Sequence, residues 1–395
     1  LNSILIVNKT PYYLLDEDKL LSNFESMKRA FEKLWPNFKI AYSYKTNNLP
    51  WLVNWMKEHG ALAEVVSYPE YKLAQRVGNK ISNIVYNGPN KNFEGLDEAV
   101  LNGAIVNLDN FSEIEHLLLF SSSKRAKIKV GLRINFDLES YCPNETIPGK
   151  EPGRFGFNIE NGDLQKAISL LSSIPNVSIV GLHGHHSTRT KSLKIFKTIA
   201  EQMCQMANHL SKIEYLDMGG CLFGDKPGAP TFDEYASTIV NVFKHYQIPS
   251  KTLLIMEPGA ALVASPFSYV CSVLAVKDIQ TTRLVFTDGS VKHIAPQMNA
   301  VRFMSSVQTT STKIIARQVV SGYTCIENDR FLELIDCQEL QIGDTIQIYN
   351  TGAYSLSLSP LFIEYYPKVI VKNGLRHKIV REAWDIDEFM QKNIL

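Results

Sequence analysis

Between residues 20 and 260 the chain alternates short apolar runs rich in β-branched residues with stretches whose apolar positions recur at three and four. That switching of periods is the pattern of parallel strands joined by helices. The runs are KIAYSYK (39–45), LAEVVS (62–67), NIVYNG (83–88), AIVNLD (104–109), KIKVGLRIN (127–135), SIVGLHGHH (178–186), IEYLDMGG (213–220) and TLLIMEPG (252–259). Helical stretches such as NFESMKRAFEKLW and LPWLVNWMKEHG lie between them, and Ser112 to Glu115 and Thr231 to Glu234 have capping-box spacing at helix starts. Eight strands with interleaved helices predict a closed TIM (β/α)8 barrel rather than an open doubly wound sheet. Residues 136–160, with Pro143, Pro148, Gly149, Pro152 and Gly153, read as a functional loop before the sixth strand.

After residue 262 the texture changes to FSYVCSVLAV, TRLVFTDG, KIIARQVVSGY, DTIQIYN and PKVIVK, alternating runs without helices that predict a C-terminal all-β domain. A chain of 395 residues exceeds what one core supports. The expected division is a barrel over 13–261 and an all-β domain over 262–395, joined by an N-terminal strand within 1–12 where SILIV opens the chain.

Apolar residues make up 45% and charged residues 21%, ample for a core. Net charge is +1, from 41 basic and 40 acidic side chains with no basic run, so nothing marks a nucleic-acid or anionic membrane partner; a small molecule is expected. Six dispersed cysteines without a CxxC motif suit reduced thiols in a cytoplasm. The N-terminus lacks a basic region and cleavage site, lacks Met and so reads as trimmed, and no apolar run reaches the roughly 18 residues of a membrane span.

Barrel active sites lie at the C-terminal strand ends. Those ends carry Lys45, Glu64 with Ser67, Asn87, Arg133 with Asn135, His183 with His185, Gly219 with Gly220, and Glu257. Lys45 in AYSYKTNN is either a solvated tip or a partly desolvated amine able to form an imine with an aldehyde. Gly219 and Gly220 mark either a tight turn or a phosphate cradle after strand seven. Glu257 in EPGA either forms a salt bridge or keeps a pyridine nitrogen protonated, making the ring an electron sink. In LHGHHSTR, alternation puts His183 and His185 on one face and His186 on the other. An HxH pair also suits zinc, so a metal-dependent hydrolase is the rival, but no further His stands at a strand end and no metal is expected. One His would otherwise stack on an aromatic cofactor, with Ser187 or Thr188 donating to phosphate.

Together these residues resemble the fold-type III pyridoxal-phosphate (PLP) decarboxylases, the diaminopimelate and ornithine decarboxylase group with an alanine racemase-like fold, over nearly the whole chain. AYSYKTNN is similar to the family's Y-A-x-K-A-N pattern, which implies that Lys45 carries PLP as a Schiff base. Glu64 at the second strand end is placed with the cofactor-binding set. LHGHHSTR is similar to LHxHxGS, implying His185 as the ring-stacking residue and Thr188 at the phosphate, with Ser187 replacing a glycine. The family's GGG resembles Gly219, Gly220 and Cys221, the third glycine being lost. EPGA is similar to EPGR, assigning Glu257 to the pyridine nitrogen and Gly259 to the phosphate. GRFGF resembles the KFG loop, with Arg154 for lysine, and implies Arg154 among the substrate-binding residues. GYTCIEND is similar to GPxCESxD, implying that Cys325 reprotonates the α-carbon from a partner subunit, with Glu327 and Asp329 near substrate. NTGAYS resembles the GAY motif, placing Tyr354 at cofactor phosphate and substrate. The resemblance implies a cytoplasmic homodimer with composite sites that decarboxylates an amino acid or derivative in a biosynthetic pathway.

Some positions depart from the diaminopimelate pattern. The arginine after EPG is Ala260, the RPxLY arginine and tyrosine fall at Ala295 and Asn299 around Pro296, and the glutamate after the cysteine is Ile326, Glu327 being displaced by one. A site built to pair a charge loses several kcal/mol when the pairing group is gone, so meso-diaminopimelate is not the first expected substrate. The alternatives are diaminopimelate decarboxylation itself, an amino-acid racemase, which would pair the ring nitrogen with arginine, and a PLP-binding protein without turnover.

Overall fold

The structure is a computed structural model that describes residues 9–122, 126–210, 212–297 and 303–394. The chain divides into two compact units: one is Asn23–Ala261, the other is built from the flanks up to Ser22 and from Leu262 onward.

In the first unit the eight expected runs form Phe38–Ser43, Leu62–Val65, Ile84–Tyr86, Ile105–Leu108, Ile128–Asn135, Val177–His183, Tyr215–Asp217 and Leu253–Met256. Neighbours pair in parallel, the eighth strand pairs with the first and the fourth with the fifth, so the sheet closes into a barrel. Helices return between strands, as at Pro50–Glu58 and Phe232–His245. The capping box of Thr231 and Glu234 is present in full. The helix Phe111–Ser122 starts earlier than expected: Asn110 Oδ1 accepts from Glu113 N at 3.2 Å and Glu113 Oε2 accepts from Asp109 N at 2.8 Å, so Asn110 and not Ser112 caps it.

Inward-facing residues fill the barrel in layers. A lower apolar layer joins Ala41, Leu62, Val85, Val180, Tyr215 and Ile255. The Tyr215 ring lies across the bore because two neighbours lack side chains. A Cβ at Gly131 would sit 2.1 Å from the Tyr215 hydroxyl, and one at Gly181 2.1 Å from its ring. Either alanine would overpack the bore at a cost of about 1–3 kcal/mol. The same hydroxyl begins a polar layer above, donating to Asn107 Oδ1 at 2.7 Å.

The second unit is a mixed sheet centred on the long strand Phe267–Ile279, which pairs with Tyr12–Asp16, Thr282–Thr287 and Thr345–Tyr349. The opening SILIV run lies outside the described residues. The N-terminal strand of this sheet is Tyr12–Asp16, antiparallel to Phe267–Ile279 and parallel to Lys368–Asn373. Tyr12, Leu14, Val270 and Ile370 pack where those three strands meet, which assigns residues up to Ser22 to this unit rather than stopping at 12. Strands Ser305–Gln308, Arg330–Gln338 and Arg376–Arg381 add to the five expected runs. Contrary to the helix-free expectation, short helices also form at Val291–Ile294 and Ile386–Met390. Among the described residues no helix is long and apolar enough to cross a membrane.

Candidate active site

The C-terminal strand ends of the barrel converge on a buried polar network. Lys45 follows the first strand on a single helical turn, Tyr44–Thr46, which lifts its side chain to 38% exposure. Its Nζ donates to Glu64 Oε2 at 2.8 Å, and Glu64, at the end of the second strand, is buried. From the third strand end Asn87 Nδ2 donates to Glu64 Oε1 at 3.2 Å and to Glu257 Oε1 at 2.5 Å. Asn87 Oδ1 accepts from Asn107 Nδ2 at 2.9 Å. Because Tyr215 occupies Asn107 Oδ1, both amides are oriented with their donors toward the carboxylates.

Glu257 sits beside His183, whose Nε2 lies 3.4 Å from Oε2 at ion-pair range without a hydrogen bond. Burial alone would raise the Glu257 carboxyl, but His183 and Lys45 outweigh it and hold Glu257 well below the ordinary carboxylate range. The opposite holds for Asp217 from the seventh strand, where burial and then the facing Glu257 push the carboxyl well above that range. Ligand atoms of His183, Asp217 and Glu257 all lie within 4.8 Å of one another.

Of the HxH pair, only His183 joins this cluster. The His185 ring stacks 6.2 Å from His183 at 15° between planes, and its Nδ1 accepts from Gly220 N at 3.0 Å. Burial, then the charge of Arg133, keeps His185 neutral. Arg133 Nη2 donates to the His185 carbonyl at 3.0 Å while Nη1 reaches Asp109 Oδ1 at 3.3 Å. His186, on the other face, meets Phe136 edge-on at 4.5 Å.

The glycine turn lies against this set. Gly219 has φ +65°, and a Cβ there would sit 2.6 Å from His185; at Gly220 it would sit 2.2 Å from the Glu257 carbonyl, and at Gly259 2.0 Å from Thr46 Oγ1. Cys221, which stands where the resembling pattern has its third glycine, keeps a left-handed φ of 69°. Its Sγ lies 3.5 Å from Thr188 Oγ1, which brings Thr188 to the turn. Ser187 is exposed, and its carbonyl accepts from Ile147 N at 3.0 Å. Ser67 is a helix cap, accepting from Glu70 N at 3.3 Å. Arg154 is exposed with its guanidinium 4.1 Å over Phe155.

The remaining expected residues belong to the mixed-sheet unit. Cys325 is exposed, Tyr354 is 45% exposed at φ 56°, and Glu327 is exposed and paired with Arg330. Asp329, expected near substrate, is turned into its own loop. It is 2% exposed, and its carboxylate accepts from Ser290 Oγ at 2.9 Å, Val291 N at 2.8 Å and Thr324 Oγ1 at 2.7 Å, anchoring its own loop. Ala295 follows the helix Val291–Ile294, and Asn299 lies outside the described residues.

Sequence reasoning passed over Asp217, Asn107 and Tyr215. The signal was available: Tyr215 and Asp217 alternate along one strand and share its inner face.

An amine at a strand mouth, an ionised buried carboxylate, a neutral imidazole and a turn at Gly219 and Gly220 without side chains fit a ring aldehyde bearing a phosphate. The comparisons agree. Residues 18–264 match the family profile described as pyridoxal-dependent decarboxylase, pyridoxal binding domain, and the chain belongs to that family. It is 26% identical over 396 residues to diaminopimelate decarboxylase of Aquifex aeolicus, covering 98% of this chain and 92% of that protein. To diaminopimelate decarboxylase of Bacillus subtilis it is 27% identical, covering 95% and 90%. Its fold matches the crystal structure of diaminopimelate decarboxylase from M. jannaschii with a TM-score of 0.90 at 22% identity, over 100% of this chain and 94% of that one. The match to the Paramecium bursaria Chlorella virus arginine decarboxylase has a TM-score of 0.77 at 18% identity, over 91% and 96%. The chain is thus a PLP-dependent amino-acid decarboxylase, a carboxy-lyase of the fold-type III group.

Proposed function

We propose that Lys45 holds PLP and that the barrel mouth decarboxylates an amino acid at its α-carbon, for use in a biosynthetic pathway. The observation that carries this reading is the hydrogen-bonded sequence Lys45, Glu64, Asn87, Glu257. When bound, the cofactor supplies a ring that accepts the electron pair released as carbon dioxide departs.

Each side chain then has a stated task. Glu64 orients the Lys45 amine. Glu257, kept ionised by its neighbours, offers an acceptor for a protonated ring nitrogen, which suits decarboxylation better than racemisation. His185 presents a neutral face for stacking, Thr188 brings a hydroxyl to the glycine turn, and Gly219, Gly220 and Gly259 allow close approach for a phosphate. Cys325, exposed on the mixed-sheet unit, returns the proton to the α-carbon in the barrel site of a second copy of the chain, and Tyr354 contacts the phosphate. The reading thus includes a homodimer, and free cysteines throughout support a cytoplasmic setting.

The substrate is less sharply drawn by the relatives than by the residues. Ala260 and Ala295 leave uncharged the positions from which the resembling family grips a distal carboxylate, which supports an amino acid or derivative without one. The names of the relatives support the second reading, meso-diaminopimelate, and nothing in the comparisons argues against it. Carbon dioxide release across a panel of amino acids, with meso-diaminopimelate included, separates the two: fast turnover of meso-diaminopimelate overturns the first. Borohydride trapping is expected to place one phosphopyridoxyl group on Lys45, and an unmodified Lys45 in a yellow protein overturns the cofactor assignment.

A further inference from the structure

Three carboxyls, Glu64, Asp217 and Glu257, crowd the barrel mouth, and their donors are unequally shared. Glu64 takes the Lys45 amine at 2.8 Å. Glu257 takes the Asn87 amide at 2.5 Å and has the His183 ring edge at 3.4 Å. Asp217, with no exposed surface, has the Gly219 amide on Oδ1 at 3.0 Å and a long 3.3 Å approach from Asn107 on Oδ2. Asp217 and Glu257 face each other within the 4.8 Å cluster. Two buried carboxylates so close cannot both ionise, and the proton goes to the one with the poorer set of donors.

We propose that Asp217 is a positioning residue that stays protonated and donates its proton to Glu257, holding Glu257 as the single anion aimed at the cofactor ring. The inference rests on the decarboxylase reading for its purpose, though not for its geometry. The groups around Asp217 agree: Tyr215 below it is a buried phenol pushed well above its ordinary range by burial, Arg133 is engaged by Asp109, and Lys45 by Glu64. Among the described residues the cationic group nearest both carboxyls is the His183 ring, whose edge lies 3.4 Å from Glu257, so its charge favours Glu257 as the anion. A neutral carboxyl accepts from Gly219 on one oxygen and donates from the other, a pattern that an asparagine side chain reproduces apart from the long approach of Asn107, which its NH2 does not accept, and that an alanine does not reproduce.

The test uses the full chain, with and without PLP. Infrared difference spectra between wild type and Asp217→Asn at neutral pH are expected to contain a protonated-carboxyl C=O band belonging to Asp217, already present in the unloaded protein. Asp217→Ala is expected to weaken PLP binding by about tenfold or more, as befits a lost buried hydrogen bond. Asp217→Asn should recover most of that loss. Absence of an Asp217-dependent band, or an asparagine variant as weak in PLP binding as the alanine variant, overturns the proposal. Should the alanine variant not fold, the infrared comparison decides alone. Failure of the decarboxylase reading would show separately, as no carbon dioxide from any amino acid with the band unchanged.

Discussion

Asn87 Nδ2 stands 2.5 Å from Glu257 Oε1, and the same nitrogen reaches Glu64 Oε1 at 3.2 Å. One side-chain amide therefore fixes the spacing between the carboxylate that orients the lysine and the one assigned to the ring nitrogen. Asn87→Ala leaves both short of a donor in a buried setting, and kcat/KM is expected to fall about 10–100-fold. Lys45 should remain trappable by borohydride, because its own bond to Glu64 survives. Asn87→Asp brings a further carboxyl against two others and should be worse than alanine in the same assay.

Cys221 has a side chain on backbone that favours glycine, at φ 69°. Cys221→Gly relieves the left-handed conformation at the loss of a weak contact to Thr188, and a stability gain of about 0.5–1 kcal/mol is expected. Urea midpoints of the two proteins check it. A lower midpoint for the glycine variant would show that the thiol contact outweighs the strain.

Acid should destabilise the mixed-sheet unit through His293. This imidazole is 1% exposed, with Nδ1 2.8 Å from the Tyr269 hydroxyl and Nε2 3.3 Å from that of Tyr323. Burial, then the charge of Arg381, lowers it to about 4. An unfolded chain takes up the proton near pH 6.5, the folded chain near pH 4, so stability is complete above about 6.5 and declines as pH falls between those values. The full decline from this residue is about 3 kcal/mol. Urea unfolding at a series of pH values should show that dependence, and His293→Asn should flatten it by about one proton.

Asp329 and the chain around Cys325 yield a further prediction. Asp329→Ala strips acceptors from Ser290, Val291 and Thr324, a loss of about 3 kcal/mol. Alkylation of Cys325 should accelerate in the variant while PLP still attaches at Lys45. An unchanged alkylation rate would show that the loop holds its shape without the carboxylate.

The barrel was legible because its strands are continuous apolar runs and its helices carry a clear period, so each of the eight strands falls within one residue of an expected run. The residues at the ends of those strands were legible as well: Lys45, Glu64, Asn87, His183 and Glu257 do meet. What escaped was one layer deeper. Asp217 and Asn107 sit inside short strands whose neighbours are apolar, and a single polar residue there carries no period of its own. Arg330–Gln338 was missed for the opposite reason: its many exposed side chains dilute the apolar alternation. The loop bonds of Asp329 were not legible either, because a motif does not tell a loop anchor from a ligand.

The tyrosine lying across the barrel bore has a consequence for inheritance. Its ring occupies the volume that side chains at 131 and 181 would take, and its hydroxyl sets the direction in which two amides point toward the carboxylates above. Positions 131, 181 and 215 therefore form a covarying set: a lineage that acquired a side chain at either glycine would have to surrender the phenol, and with it the orientation of Asn107 and Asn87. Among homologues the three should change together or not at all.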